Sequence, residues 1–160
     1  MSVVAGVSRP VQAWVALTAA RLAVDLGAPL LLVHADEDRV LIGRGPDGAA
    51  LSAEVDPDTW APGDDAAGLL DLPPDLRTAL DELLGPGTAG WSARVELGEP
   101  SHVLTHAATE HGARLLVVGA RRSGPAGWMD RLVGGSIAGR LVHTQRVPVV
   151  VVPRPEVHNR

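Results

Sequence analysis

Three near-continuous apolar runs dominate this chain: Leu30 to Ala35, broken only by His34, then Leu115 to Val118, then Val147 to Val152. A strand with no polar face has to be covered on both sides, the condition of a parallel sheet held between helices. Each run follows a segment of helical period. Val11, Trp14, Val15, Thr18, Leu22 and Leu26 recur at three- and four-residue spacing before Gly27, where a left-handed residue ends many helices. Val103, Leu104, Ala107 and Ala108 do the same before Gly112, and Ser136 to Thr144 precedes the last run. With the β-branched run Val3 to Val7 at the start and Pro10 placed for a first helical turn, the chain opens strand, helix, strand.

The middle is patterned differently. Val40 to Ile42 and Leu51 to Val55 flank Gly45-Pro46-Asp47-Gly48, which reads as a small β-hairpin inserted after the second major strand. From Glu54 to Asp75 there are seven acidic residues and no basic one, read as an exposed acidic loop. Leu76, Leu80, Leu83 and Leu84 then give a short amphipathic helix stopped at Gly85. Trp91, Ala93, Val95 and Leu97 alternate with Ser92, Arg94 and Glu96, the pattern of a half-exposed strand near a sheet edge. Gly119 to Gly134 reads as a loop with one turn of helix at Trp128 to Val133. Five major strands alternating with four helices predict a three-layer α/β fold, with residues 1–160 as one domain and an insertion-prone segment at about 39–90. There is no internal repeat.

Composition removes several functions. The chain has no Phe and no Tyr, so Val, Leu and Ala must fill the core around four Trp, and stacking platforms for bases are scarce. A net charge of −5 offers no field for nucleic acid. All 14 basic residues are Arg, which excludes a lysine nucleophile, and the absence of Cys excludes thiolate chemistry and disulfides. With no leader pattern and no apolar run of about 18 residues, the expectation is a cytoplasmic protein without a membrane partner.

Most motif spellings fail on context. Gly43-Arg44-Gly45-Pro46-Asp47-Gly48 spells G-x-G-x-x-G, but Pro46 removes a donor and strand-like sequence follows where a helix must open. Gly134-Gly135-Ser136-Ile137-Ala138 lacks the last glycine of a nucleophile elbow and the strand before it. His102 and His106 lie one helical turn apart without the glutamate of a zincin, and are read as exposed helical residues; no metal site and no catalytic set is expected. What remains is Gly119-Ala120-Arg121-Arg122-Ser123-Gly124, followed after a loop by Gly135-Ser136-Ile137 opening a helix. Free N–H groups at a helix start, beside glycines, suit phosphate oxygens; Arg121 and Arg122 can pair with them. Ser136 can equally be a plain N-cap, and the arginines can simply solvate a loop.

In this setting the chain resembles the universal stress protein family, through Val3-Val4-Ala5-Gly6-Val7, Leu31-Leu32-Val33-His34, Gly98-Glu99-Pro100, the stretch Glu110 to Gly119, Gly135-Ser136-Ile137 and the stretch Arg146 to Pro153. The longer glycine loop and the Gln145-Arg146-Val147-Pro148 ending are similar to an actinobacterial branch. The resemblance implies a Rossmann-like, adenine nucleotide α-hydrolase-like sheet of strand order 3-2-1-4-5, with a crevice between strands 1 and 4 bordered by Ser8 and Gly119. It implies ATP, accompanied by Mg2+, with its phosphates at Gly119, Arg121, Arg122, Gly124, Gly135, Ser136 and Ile137 and its adenosine near Val7, Ser8 and Val33. It also implies a homodimer through the last strand, at Val147, Val149, Val150, Val151 and Val152, an edge with two apolar faces. Two positions depart from the family pattern: Ser8 stands where ATP-binding members carry Asp, and Arg122 where their phosphate motif has Gly. Three readings stay open: a nucleotide-binding regulatory protein without committed catalysis but compatible with slow ATP hydrolysis, a nucleotide-free dimeric module docking an unidentified protein partner, and an enzyme of the wider adenine-nucleotide class.

Overall fold

β1 (Ser2–Gly6) runs through the middle of the sheet, and Val3, Val4 and Ala5 are each 0% exposed. The computed structural model describes residues 1–37, 39–44, 46, 50–54, 69–70, 72–85, 90–120 and 137–155; for 39–44, 50–54, 69–70 and 144 only the backbone is described. After β1 come α1 (Ala13–Asp25), β2 (Leu30–Asp36), β3 (Arg39–Arg44), β4 (Ala50–Glu54), β5 (Leu69–Leu70), α2 (Pro74–Leu84), β6 (Trp91–Leu97), α3 (Pro100–Glu110), β7 (Ala113–Gly119), α4 (Ile137–Thr144) and β8 (Val149–Val152). The main sheet has the order β5-β6-β2-β1-β7-β8. Its five long strands are parallel and stand in the expected order 3-2-1-4-5. β3 and β4 pair antiparallel as a separate two-stranded sheet.

The apolar residues of each central strand divide between two cores. Val3, Ala5, Leu30, Leu32 and Val95 face α1 and α2, where Val15, Ala16, Ala19, Leu76 and Leu80 close over them. Val4, Leu31, Val33, Leu116 and Val118 face α3 and α4, against Val103, Leu104, Ala107 and Leu141. Alanines at 16, 19, 20 and 23 let α1 lie close on the sheet, and Gly27 ends it with φ of 56°.

Several expectations are corrected. α1 starts at Ala13 rather than at Pro10, because the Pro10 carbonyl accepts the Ser8 hydroxyl at 2.9 Å and the first helical acceptor is Gln12. β6 is not the outermost strand: Leu69–Leu70, placed by the sequence in an acidic loop, pairs antiparallel with Glu96 and Val95. Its polar face is open at Ser92 but closed further along. Glu96 is 2% exposed, because α3 covers that side and meets it with its own polar residues. The last strand begins at Val149, not Val147; Pro148 has no N–H, so the ladder starts from its carbonyl, which accepts from Leu116 at 2.9 Å. The acidic segment 55–68 and the expected helical turn at Trp128 to Val133 lie outside the described residues. No helix among the described residues is long and apolar enough to cross a membrane.

Candidate functional site

β1 has β2 on one side and β7 on the other, so the chain leaves the sheet's middle in two directions and a crevice opens at their C-terminal ends. A cavity of ≈ 600 Å³ occupies that place. Its floor is Gly6 at the end of β1 and Val7 and Ser8 after it, with His34, Ala35 and Asp36 from β2, Gly119 at the end of β7 and Ala120 after it. α1 contributes its N-cap Gln12, α3 contributes Pro100 and Leu104, and α4 contributes Ile137.

Of the residues singled out in the sequence, Val7, Ser8, Val33, Gly119 and Ile137 are brought together on this wall. Arg121, Arg122, Gly124, Gly135 and Ser136 lie outside the described residues. Two of these residues also make contacts within the protein. The Ser8 hydroxyl donates to the Pro10 carbonyl, so its proton is already engaged in a local turn. The space at Gly119 is taken by α1: a Cβ there would crowd the Gln12 side-chain oxygen and lie 3.0 Å from Val15 Cγ2. The glycine thus admits α1 to the strand end, whatever else it admits. Val33 is 0% exposed and backs the wall from behind.

Arg9, Gln12, His34, Asp36 and Glu37 also line the cavity and were not singled out. The topological rule would have found them, since all lie within a few residues of the C-terminal ends of β1 and β2. His34 Nδ1 stands 3.0 Å from the Val7 carbonyl, tying β2 to the segment after β1. Arg9 Nε reaches Asp75 at 3.0 Å, fixing that segment to α2. On the opposite rim Glu99 caps α3, accepting from the N–H groups of Ser101 at 3.1 Å and His102 at 3.2 Å and from the Ser101 hydroxyl. Burial pushes the Glu99 carboxyl upward, but these hydrogen bonds and the charge of Arg140 at 3.2 Å outweigh it and hold it below its ordinary value.

A second cluster lies away from the cavity, between β6 and α3. His106 does not meet His102 there but Glu96, with Nδ1 3.6 Å from Oε2, and the ligand-type atoms of Glu96, His106 and Glu110 fall within 4.8 Å of one another. A cation is already among them. Arg94 Nη2 pairs with Glu96 Oε1, without a hydrogen bond of good geometry, and with Glu110 at 2.8 Å, while Nη1 donates to His111 Nε2 at 2.9 Å. The bond from Arg94 holds the Glu110 carboxyl below its ordinary value. This is the arrangement of a structural ion network.

The family model of the universal stress proteins matches residues 1–153. The chain belongs to the universal stress protein family. Solved structures of universal stress proteins share the fold. One in complex with cAMP has a TM-score of 0.59 at 21% identity, covering 95% of this chain and 97% of the other. One from Archaeoglobus fulgidus has the same TM-score and identity, covering 97% of this chain but 45% of the other, longer one. Another from Archaeoglobus fulgidus, in complex with dAMP, has a TM-score of 0.51 at 16% identity, covering 95% of this chain and 97% of that one. A comparison with curated proteins gave no match.

Proposed function

We propose that this universal stress protein binds an adenine nucleotide in the cavity at the ends of β1, β2 and β7, as a cytoplasmic regulatory protein without committed catalysis. The observation that carries the reading is a cavity of ≈ 600 Å³ at the topological switch point of the sheet, large enough for a nucleotide. Similar proteins have been solved with cAMP and with dAMP, which favours an adenine nucleotide as the class. ATP with Mg2+ is its fullest form, its phosphates directed toward Gly119 and Ile137 and the glycine and arginine segment between them, its adenosine toward Val7 and Ser8. Slow hydrolysis is compatible with such a site. The β3–β4 pair is an insertion in the family fold, and the branch is the actinobacterial one.

The protein acts as a homodimer in this reading. β8 is the edge of the sheet, Val151 on it is 41% exposed, and α4 beside it leaves Val142 57% exposed. An apolar edge with unpaired backbone groups is relieved by pairing with a second copy.

A second reading, a nucleotide-free dimeric module, draws on two contacts: Gln12 over Gly119, and the Ser8 hydroxyl engaged with Pro10. One experiment separates the two. Protein purified without added nucleotide is denatured, the released small molecules are identified by mass spectrometry, and ATP and GTP are titrated by calorimetry. A copurifying adenine nucleotide, or ATP heat at micromolar to millimolar concentration, is the expected result. No released nucleotide and no heat at millimolar ATP would leave the dimeric module standing.

A further inference from the structure

Arg94 engages the two carboxylates between β6 and α3 through one oxygen each and leaves the other oxygen of each over. It pairs with Glu96 through Oε1 and with Glu110 through Oε2 at 2.8 Å. Glu96 Oε2 has no hydrogen-bond partner among the described residues and faces His106 Nδ1 at 3.6 Å, beyond hydrogen-bond length. The side chain that carries it is 3% exposed, yet Oε2 is not among the atoms sealed from solvent. A carboxylate oxygen in such a place is costly without a donor or a cation. His106 Nδ1 has no hydrogen-bond partner among the described residues either, and its side chain is 58% exposed. The guanidinium of Arg94 matches the charge of one carboxylate and leaves that of the other unmatched.

We propose that Glu96, His106 and Glu110 form a site for a divalent transition-metal ion of the Zn2+ type, joining β6 to α3. One imidazole nitrogen with two carboxylate oxygens suits such an ion, whereas Mg2+ takes oxygen ligands and keeps most of its water. In a tetrahedral site with ligands at about 2.0–2.2 Å, neighbouring donor atoms stand about 3.3–3.6 Å apart, and Glu96 Oε2 and His106 Nδ1 already have that spacing. Donor atoms of all three residues lie within 4.8 Å of one another. Glu110, one helical turn after His106 and with a side chain 49% exposed, has the freedom to close the remaining distance, and water takes the fourth position. Arg94 stays: it holds Glu96 by Oε1 and orients that carboxylate from behind, as partners of metal-bound carboxylates do. His111 is not a ligand, because its Nε2 accepts from Arg94 Nη1 at 2.9 Å. The site lies apart from the cavity and stands independently of the nucleotide reading.

The test is calorimetry on the full chain, stripped of metal with a chelator, exchanged into chelator-free buffer and titrated with ZnCl2 and separately with MgCl2. One Zn2+ per chain should bind, and Mg2+ should give no comparable heat. His106→Ala and Glu110→Gln alter exposed side chains, so both variants should fold. Each should weaken Zn2+ at least about tenfold, the loss typical even of a residue that only supports a ligand. His102→Ala, one turn earlier on α3 and outside the cluster, should bind Zn2+ as the unmodified protein does. With Co2+ as a spectroscopic probe, the unmodified protein should show the intense visible absorption of a four-coordinate ion, bleached by Zn2+ and missing in His106→Ala. No bound Zn2+, Mg2+ bound as tightly, or a loss of affinity in His102→Ala would overturn the site. So would unchanged affinity in either His106→Ala or Glu110→Gln, the result that zinc held by His34 and Asp36 in the cavity would give.

Discussion

A Cβ added at Gly119 would lie 3.0 Å from Val15 Cγ2 and closer still to the side-chain oxygen of Gln12, both on the first turn of α1 or at its cap. Gly119→Ala is therefore expected to cost about 1–3 kcal/mol, with Gln12→Ala in the same chain restoring part of it. Urea denaturation of the three variants checks this, and an unchanged midpoint for Gly119→Ala would show that α1 gives way freely. The sequence made Gly119 a ligand residue because it ends a strand at the switch point. Which turn of which helix stands over it is not written in local spacing. Glu99 was equally hard to read as a cap, since glutamate is outside the usual N-cap residues, yet its carboxylate takes two N–H groups of α3. Glu99→Ala should cost about 1 kcal/mol at neutral pH. Because its folded pKa lies below the ordinary 4.5, this carboxylate's contribution is full above that value and is lost as the pH falls through the lower, folded one. The variant's deficit should accordingly shrink on acidification below pH 4.5, and a deficit that stays constant would mean the charge is not what stabilises the cap.

β6 and α3 are joined by polar residues where the alternation of β6 had suggested open solvent. The alternation itself was legible, with Val95 turned to one core, but it cannot distinguish a face wetted by water from a face closed by another element's charges. Arg94 and Glu96 have side chains 14% and 3% exposed, and the guanidinium also holds Glu110. Removing Arg94 leaves the buried Glu96 carboxylate with only the exposed His106 ring 3.6 Å away, so Arg94→Met should cost about 3–5 kcal/mol, whereas Arg94→Met with Glu96→Leu should recover most of that loss. Glu110→Gln, at a side chain 49% exposed, should cost under about 1 kcal/mol. Chemical denaturation of the series decides it: a cost below about 1 kcal/mol for Arg94→Met would show that water reaches Glu96. The added strand Leu69–Leu70 escaped notice for a related reason, since two residues carry no period and lay within a segment dominated by acidic charge.

Across the whole molecule the parallel sheet was legible because buried strands announce themselves as apolar runs, its strand order came from the family resemblance, and the cavity's location followed from that order. Gln12 and His34 did not follow, because their roles depend on what stands opposite them. The assembly has its own test. Val151, 41% exposed on the edge strand, faces a second copy in the proposed dimer, so Val151→Lys should convert it to monomer with little loss of monomer stability. Sedimentation at micromolar concentration checks both, and a stable monomer for the unmodified protein would remove the dimer. The central position of β1 has a further consequence, in time rather than in space. Val3 pairs with Leu30 on one side and with Leu115 on the other, so the first strand made has its second neighbour only after most of the chain has been made. At about 5–20 residues per second of synthesis, roughly 4–17 s separate the two. Through that interval the ribosome holds a half-built sheet whose first strand has one open flank, and the crevice proposed for the nucleotide does not exist until β7 arrives. A ligand therefore cannot guide the early steps of folding; it can only reward a chain that has already completed them.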